Sequence, residues 1–501
     1  MIYMTLKEIA EVCAPAHTFS SLEEERTVAV GGVTDNRKVE PGNLFFAIKG
    51  ERVDGHRFAQ QAIDAGASAV IAERPLPEVN GPVIVVESTT QALSQIAAAY
   101  RARFSIPVIG ITGSVGKTST KEMIASILSE KYNVLKTDGN FNNEIGMPLT
   151  LLRVREAHEV AVVEMGINHF GEMDRMSRVA RPDLFVMTNI GECHLEFLGD
   201  RDGVLKAKTE GFAHMKPGTC VVLNADDDKL FTLREDPRIR PVFYHVMEQD
   251  EVCGTCCADL TNFYMEEALR AAAPSVFADE IAQRGEDGTD FTLHARGCAR
   301  RVHLSVPGIH MVRNALAGTA AALELGLTMD EIVRGIEAMQ TISGRSHFIH
   351  AKNGVTIIDD CYNANPTSTK ASLDMLAGCS GRRIAVLGDM GELGTDEVRL
   401  HREVGAYAAS LGLDALFFCG PLFGAGAEEM PQCPVNAPWQ AGEVCAGETS
   451  GVPAAPTVIR WFAEKEEMIP EVASYLCPGD TVLVKASHFM GFDQIVESLQ
   501  R

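Results

Sequence analysis

The chain has 501 residues, too many for one ordinary hydrophobic core, and roughly one domain per 100 to 200 residues predicts about three domains. Hydrophobic residues make up 46% and charged residues 23% of the sequence, a composition that excludes a largely disordered protein. The net charge of −23 disfavours a nucleic-acid-binding or acidic-membrane surface, because repulsion opposes approach to any polyanion.

The sequence predicts neither an export signal nor a membrane span. No apolar stretch reaches the roughly 20 residues that cross a bilayer, and residues 1–16 lack a basic start followed by an apolar core and a cleavage site. The 13 cysteines are odd in number and scattered from Cys13 to Cys477, unlike the dense framework of a small secreted domain. We therefore expect a cytoplasmic protein with reduced thiols and no membrane insertion.

Residues 1–104 are predicted to form a small α/β domain. Short runs rich in β-forming residues alternate with an alanine-rich stretch, and a longer helical pattern ends the segment. The predicted strands are 28–30, 43–48 and 69–71, and the predicted helices are 58–67 and 90–104.

Residues 105–341 are predicted to form a central domain around a doubly wound parallel sheet. Apolar runs at 108–111, 160–163, 184–188 and 219–223 alternate with helix-like segments, as in sheets covered on both faces. The stretch 247–285 loses periodicity and is interpreted as a surface insertion. The predicted strands 291–293 and 302–305 follow it.

Residues 342–501 are predicted to form a third, Rossmann-like α/β domain. Strands and helices alternate again, and the density of Gly, Ala, Pro, Glu and Cys at 424–456 predicts a long loop. The predicted strands are 354–359, 383–387 and 415–419, and the predicted helices are 367–377 and 400–410.

The turn before a helical pattern at 117–131 has the residues of a phosphate-binding loop. Its glycines let backbone N–H groups face phosphate, and the helix N-terminus adds positive potential. Lys117 is expected to contact the β- and γ-phosphates of ATP, and Thr118 to bind Mg²⁺. Ile111 stands where the usual pattern has its first glycine, so an ordinary glycine-rich turn is the alternative. The predicted ATP-binding residues of this loop are Thr112, Gly113, Ser114, Val115, Gly116, Lys117, Thr118 and Ser119.

Further polar residues follow two neighbouring predicted strands. Glu164 ends the strand 160–163, at the edge of a parallel sheet where ligands collect, and is a predicted Mg²⁺ ligand. His194 follows the next strand by a short loop and is a candidate second metal ligand, with a surface histidine as the alternative. Lys206 and Lys208 could offset phosphate charge, although Lys206 fits a solvated helix face equally well.

Four parts of the chain together resemble the Mur ligase family of peptidoglycan synthesis: 112–118, 140–146, 164–166 and His194. The resemblance implies an ATP- and Mg²⁺-dependent ligase in which Lys117, His194 and Lys208 act in catalysis. In several family members a lysine carbamylated by CO₂ becomes an extra anionic Mg²⁺ ligand. Lys208 matches that lysine best, with Lys206 as its neighbouring alternative.

Within the family, 359–366 and 388–394 with His401 are similar to the members that add D-alanyl-D-alanine to UDP-N-acetylmuramoyl-tripeptide. The resemblance implies these two compounds as substrates and places Glu392 and His401 at the dipeptide site. It also implies that the γ-phosphoryl group of ATP moves to the tripeptide carboxylate before the dipeptide amine displaces phosphate.

The amino-terminal segments 34–39, 41–47 and 54–56 are similar to the family's nucleotide-sugar domain, although the family more often has serine at position 36. The residues implied in UDP-sugar and peptide binding are Thr34, Asp35, Asn36, Arg37, Phe46, Asn142 and Asn143. The residues implied in binding the rest of ATP, adenine included, are Asn314, Arg345, Asp360, Tyr362 and Asn363.

Two features depart from this pattern or stay outside it. The stretch 482–488 resembles a family motif that usually reads Lys-Gly-Ser-Arg, but Ala486 and His488 differ from it, which weakens the case for a ligand contact at position 488. Cys253, Cys256 and Cys257 are interpreted as surface thiols, because no second cysteine pair has a matching spacing.

Two other functions compete with this interpretation. One is another amide ligase of the Mur or folylpolyglutamate type, and the other, from a different class, is a non-catalytic ATP-binding module. We expect a monomer, and the sequence leaves open whether the third residue of the tripeptide is diaminopimelate or lysine.

Overall fold

A computed structural model describes residues 4–50, 53–247, 276–427 and 458–500. They form three open sheets of four, nine and six strands, flanked by helices, and one two-stranded pair. This arrangement confirms the predicted α/β class. Among the described residues, no helix is both long and apolar enough to cross a bilayer.

The amino-terminal part contains the four-stranded parallel sheet, in the order β3-β4-β5-β6. Its first helix begins with a capping box, in which Thr5 and Glu8 satisfy each other's backbone N–H groups. The strands of this part are β1 (Met4–Thr5), β2 (Val28–Ala29), β3 (Gly32–Val33), β4 (Leu44–Phe46), β5 (Ala69–Ala72) and β6 (Val83–Val85). The helices are α1 (Leu6–Cys13), α2 (Leu22–Arg26), α3 (Ala59–Asp64) and α4 (Thr89–Arg101).

The nine-stranded sheet has the order β15-β14-β13-β12-β11-β10-β7-β9-β8. All strands from β8 to β13 along this order are parallel, whereas β14 and β15 are antiparallel additions at one edge. The strands are β7 (Val108–Thr112), β8 (Val134–Lys136), β9 (Val160–Glu164), β10 (Leu184–Met187), β11 (Thr219–Asn224), β12 (Ile239–Val246), β13 (Val276–Gln283), β14 (Thr289–Ala295) and β15 (Cys298–Leu304). The helices are α5 (Lys117–Leu128), α6 (Gly146–Leu151), α7 (Glu172–Ala180), α8 (Leu195–Leu198), α9 (Arg201–Thr209), α10 (Asp228–Phe231), α11 (Ile309–Glu324) and α12 (Met329–Glu337).

The structure corrects the predicted insertion at 247–285. Its last part, β13, is a strand of the sheet that pairs with both β12 and β14. A register shift between Asp279 and Ala282 interrupts the alternation of inward and outward side chains along this strand. The sequence therefore lacks the alternating hydrophobic pattern by which a strand is predicted. The remaining residues, 248–275 with Cys253, Cys256 and Cys257, lie outside the described part of the chain.

The six-stranded sheet has the order β16-β17-β21-β18-β19-β20 and is parallel except for β16. One hydrophobic core covers each of its faces, as the Rossmann-like prediction requires. The strands are β16 (His347–His350), β17 (Thr356–Asp359), β18 (Arg383–Gly388), β19 (Ala415–Cys419), β20 (Val458–Phe462) and β21 (Thr481–Lys485). The helices are α13 (Pro366–Ala377), α14 (Glu397–Ser410), α15 (Pro421–Ala427), α16 (Lys465–Tyr475) and α17 (Asp493–Leu499).

The predicted loop at 424–456 is corrected at its start, because α15 continues to residue 427. Residues 428–457 lie outside the described part of the chain.

The amino-terminal and central parts share one hydrophobic core. Leu6, Phe46 and Leu93 belong to the same buried cluster as Met147 and Phe185 of the central part. The third part has cores of its own on both faces of its sheet. The division at residues 104 and 341 stays a prediction.

Candidate active site

The predicted phosphate loop connects β7 to α5. Gly116 adopts a left-handed conformation with φ 83° as the residue that precedes the helix. Gly113 lies so close to β10 that a Cβ there would be 1.9 Å from the hydroxyl oxygen of Thr188. The backbone N–H groups of Ser114 and Val115 donate to the backbone and side-chain oxygens of one residue, Asn189, at 3.0 and 2.8 Å. The first N–H groups of α5 have no partner within the helix, which leaves them available to an anion.

Lys117 begins α5 and folds back over this loop. Its Nζ donates to the backbone oxygens of Gly113 at 2.8 Å and Ser114 at 3.2 Å. Burial lowers the pKa of Lys117, while the nearby Glu164 carboxylate acts in the opposite direction. Lys117 and Glu164 line the same cavity, of about 700 Å³. The structure thus brings Lys117 and Glu164 to the same cavity, as the sequence predicts.

Glu164 ends β9 and is 1% exposed. Its Oε1 accepts a hydrogen bond from Asn142 Nδ2 at 2.7 Å. Its Oε2 has no hydrogen-bond partner among the described residues, and the nearest cation, Lys121 Nζ, lies 4.0 Å away. The buried hydroxyl oxygen of Thr112 also lacks a partner there. Buried polar atoms without partners destabilise a fold unless a ligand satisfies them, so the free carboxylate oxygen of Glu164, which lines the cavity, points to a bound cation.

The ligands near Glu164 are suited to Mg²⁺, which binds phosphate and water as well as protein, more than to a metal whose ligands all come from the protein. Among the described residues, no group of three His, Cys, Asp or Glu side chains could hold a metal ion by itself. Mg²⁺ usually takes one or two carboxylates and completes its shell with phosphate oxygens and water. Glu164 and Thr118 supply oxygens beside the phosphate loop, and the predicted ligand His194 lines the same cavity.

Two residues in left-handed conformations join the central part to the third part. His194 has φ 53° and Glu392 has φ 60°, and His194 Nδ1 lies 2.5 Å from Glu392 Oε2. The hydrogen bond from His194 lowers the pKa of Glu392. Non-glycine residues hold such backbone angles only when the surrounding structure imposes them, which is typical of functional sites.

His401 does not line the cavity. It is fully buried beneath the loop that carries Glu392, where its Nε2 accepts the N–H of Met390 at 2.8 Å. Its Nδ1 donates to the backbone oxygen of Glu397 at 2.6 Å. Both ring nitrogens are therefore used within the protein. In this structure His401 supports the loop, and Glu392 is the residue that faces the cavity.

The predicted nucleotide residues meet across the cavity. Asn314, on α11, accepts a hydrogen bond from Thr120 at 2.9 Å. Arg345 donates to the hydroxyl oxygen of Thr118 at 3.1 Å, and its guanidinium lies 4.1 Å from the centre of the Tyr362 ring. The structure thus places a cation of the third part directly on the phosphate loop.

Asp360 follows β17 and faces the cavity beside Asn363. Its carboxylate accepts a hydrogen bond from the backbone N–H of Ser346 at 3.1 Å, and Lys485 Nζ lies 2.6 Å from its Oδ2. The sequence interpretation gave Lys485 no role. The motif at 482–488 directs the prediction to position 488, which is exposed at the surface, rather than to Lys485.

The two candidate lysines of α9 have different environments. Lys208 is 1% exposed, and burial lowers its pKa to about 8, with a further contribution from the Lys117 charge. Lys206 is exposed, and its Nζ lies over the Phe170 ring, 5.6 Å from the centroid. Of the two, only Lys208 is buried and has the lowered pKa that favours a neutral, reactive amine, whereas Lys206 lies over the Phe170 ring.

The predicted nucleotide-sugar residues are divided between two places. Asn142 and Asn143 line the central cavity, and residues 34–37 are absent from the described residues that line it. Arg37 is 83% exposed at its side chain and pairs with Asp35 at 2.8 Å. The Phe46 ring is fully buried in the core shared with the central part, so a direct ligand contact at this position would require its backbone.

Comparison with known families places three consecutive models on the chain. The model of the Mur ligase family catalytic domain matches residues 32–101, and that of the Mur ligase middle domain matches 111–322. The model of the Mur ligase glutamate ligase domain matches 344–488. Together these models cover most of the chain.

Comparison with individual proteins gives similarity over the full length. The UDP-N-acetylmuramoyl-tripeptide–D-alanyl-D-alanine ligase of Bacillus subtilis is 35% identical over 503 residues, which cover 100% of this chain and 99% of that protein. The Escherichia coli ligase of the same name is 33% identical, with 93% of each chain covered.

Two solved structures are similar over nearly the whole chain. A MurF crystal structure from Acinetobacter baumannii has a TM-score of 0.82 and 30% identity, covering 100% of this chain and 99% of that one. A Thermotoga maritima MurF ligase in complex with ADP has a TM-score of 0.75 and 27% identity, covering 94% and 97%.

Proposed function

The chain belongs to the Mur ligase family, and we propose that it joins D-alanyl-D-alanine to UDP-N-acetylmuramoyl-tripeptide with hydrolysis of ATP to ADP and phosphate. The observation that carries this proposal is the cavity where the phosphate loop, the buried Glu164 with an unpartnered oxygen, and Arg345 and Glu392 of the third part come together. The full-length relatives that carry this activity in their names support it.

The residues of the cavity suit the formation of an acyl phosphate. A carboxylate oxygen is a poor leaving group, so the tripeptide carboxylate must first receive the γ-phosphoryl group before an amine can attack. Lys117 and the N-terminus of α5 would hold the phosphate oxygens, and Arg345, which contacts Thr118, adds a second cation beside the same loop. Glu164 and Thr118 would hold Mg²⁺, which would neutralise charge on the same oxygens.

Glu392 and His194 are the residues we assign to the acceptor side. The Glu392 carboxylate stays ionised because its pKa is lowered, and an anion at this position suits the ammonium group of an incoming dipeptide. His194 holds that carboxylate at the junction of two domains. His401 positions the Glu392 loop from below through Met390.

Lys208 is the residue we assign to carbamylation. Carbamate formation requires a neutral amine. Burial lowers the pKa of Lys208 to about 8, which is close to physiological pH. The resulting anion would lie near the Lys117 charge and add a negative ligand to the Mg²⁺ site. The exposed Lys206 lacks this environment.

The three segments divide the work. We assign residues 1–104 to the UDP-sugar, 105–341 to ATP and 342–501 to closing the nucleotide site and binding D-alanyl-D-alanine. Asp35, Asn36 and Arg37 are the assigned contacts on the first segment, and Asn142 and Asn143 those nearer the peptide. We also propose that the protein works as a monomer in the cytoplasm.

A coupled phosphate-release assay tests the proposal. Purified protein receives ATP, Mg²⁺ and either the diaminopimelate or the lysine form of the tripeptide nucleotide, and then D-alanyl-D-alanine or single amino acids. Phosphate release should depend on the dipeptide and on one or both nucleotides. Release with single amino acids would favour another Mur or folylpolyglutamate-type ligase, and ATP binding without release would favour a non-catalytic module.

A further inference from the structure

Lys485 is a buried cation at the carboxyl end of β21 to which the proposed reaction assigns no role. It is 3% exposed, and its Nζ lies 2.6 Å from Oδ2 of Asp360 and donates to the backbone oxygen of Asn363 at 3.1 Å. Both partners border the nucleotide cavity. One ammonium group therefore holds the two ends of the loop 360–363.

The sheet fixes this geometry. Strands β17 and β21 are parallel neighbours, with Asp359 opposite Val484, so Asp360 and Lys485 leave adjacent strand ends side by side. Asp360 also accepts the N–H of Ser346, and the hydroxyl oxygen of Ser372 lies 2.6 Å from its Oδ2. With these partners the carboxylate has a single orientation toward the cavity.

The same loop carries the link to the phosphate-binding side. Tyr362 lies between Asp360 and Asn363, and its ring supports the Arg345 guanidinium at 4.1 Å. Arg345 in turn donates to Thr118 of the phosphate loop. A shift of loop 360–363 would therefore change both the Asp360 carboxylate and the position of Arg345.

We propose that Lys485 is a positioning residue for ATP, which holds Asp360 and the Tyr362–Arg345 stack in the orientation that the nucleotide needs. The proposal rests on the nucleotide site assigned above. Buried ion pairs are often replaced by apolar side chains without loss of stability, so fold stability alone does not account for this pair. Because the pair lies at the edge of the cavity, we expect its role to be in ligand binding.

The test uses Lys485→Met in the full chain, which keeps the length of the side chain and removes the charge. Lys485→Arg restores the charge, and the exposed Lys352→Met serves as the matched control. Equilibrium affinity for ATP is measured by displacement of a fluorescent ATP analogue, together with KM and kcat in the phosphate-release assay. Loss of a charge-assisted hydrogen bond predicts an affinity about ten- to a hundredfold weaker in Lys485→Met.

Other readouts separate positioning from general damage. The KM for the tripeptide nucleotide should stay within about twofold, Lys485→Arg should recover part of the ATP affinity, and Lys352→Met should match the wild type. Because Lys485 acts through Asp360, Lys485→Met combined with Asp360→Asn should bind ATP no more weakly than Asp360→Asn alone. Wild-type ATP affinity in Lys485→Met, additive losses in the double variant, or equal losses for both substrates would overturn the proposal.

If Lys485→Met does not fold, Lys485→Gln keeps a hydrogen-bond donor without the charge and should weaken ATP binding in the same selective way, whereas an unchanged affinity would overturn the proposal. The equilibrium measurement needs no acceptor. A wild-type protein that binds ATP but releases no phosphate with D-alanyl-D-alanine would therefore refute the proposed reaction and leave the role of Lys485 to be judged separately.

Discussion

Carbamylation of Lys208 is the prediction that depends most directly on local environment. The amine reacts with CO₂ only when neutral, because the nitrogen lone pair forms the new bond and a proton is released. With an ordinary pKa of 10.5, about one lysine in 3,000 is neutral at pH 7. With the pKa of about 8 that burial imposes, roughly one in eleven is neutral, an increase of about 300-fold.

The expected pH dependence follows from the same value. At a fixed concentration of dissolved CO₂, the neutral fraction of Lys208 rises about 25-fold between pH 6.5 and 8.5 and levels off above the lowered pKa. Carbamate occupancy should rise in the same direction. The assay is ¹³C nuclear magnetic resonance of protein equilibrated with ¹³C-labelled bicarbonate, with turnover measured in parallel in CO₂-depleted and CO₂-replenished buffer.

The matched variants are Lys208→Met and Lys206→Met, which remove one charge each from the same helix. We expect one carbamate resonance in the wild type and in Lys206→Met, and none in Lys208→Met. Turnover of the wild type should fall on CO₂ depletion and recover when CO₂ returns. A resonance that survives in Lys208→Met, or one lost from Lys206→Met instead, would refute the reasoning.

Three other sets of substitutions separate chemistry from stability. Lys117→Ala should reduce turnover by about a hundredfold or more while the circular dichroism spectrum stays unchanged, and near-normal turnover would contradict its role. Glu392→Gln should lower turnover without lowering the melting temperature, whereas the buried His401→Ala should lose about 2–4 kcal/mol in urea unfolding, and the opposite pattern would contradict the separation. Burial lowers the pKa of His310 to about 4, so only the unfolded state gains this proton as pH falls from 6.5; this one group should lower wild-type stability by about 3 kcal/mol by pH 4, and His310→Gln should lack that part of the total decrease in urea unfolding.

The sequence predicts those site residues whose position depends only on the order of strands, turns and helices around them. A strand, a glycine-rich turn and a helix place Lys117 at a sheet edge, and the apolar strand before Glu164 brings that carboxylate to the same edge. Because parallel strands end together, two separate local patterns predict one site. The three-domain fold follows from the same alternation of strands and helices.

The contacts that escaped prediction depend on which face of a strand or loop is covered. Phe45 and Phe46 point to opposite sides of β4, and each enters a different hydrophobic core, so neither ring is free to contact a ligand, which two adjacent phenylalanines in the sequence do not show. His401 resembles a ligand contact in sequence, yet both of its nitrogens are satisfied beneath the loop.

The ion pair of Asp360 and Lys485 joins residues that are 125 positions apart. It exists because β17 and β21 are neighbours in the sheet, and local periodicity gives strands without giving their order. For the same reason the sequence predicts strands at 291–293 and 302–305 but not their antiparallel pairing at the edge of the sheet.

In the proposed ATP site, Lys117 and Arg345 already have hydrogen-bond partners within the protein. Lys117 is held by carbonyl oxygens of its own loop, and Arg345 by the hydroxyl of Thr118. A triphosphate bound at this site would therefore exchange partners with these two groups. On its departure the carbonyl oxygens and the Thr118 hydroxyl would take them back, so neither state of the site would leave a buried cation without a partner.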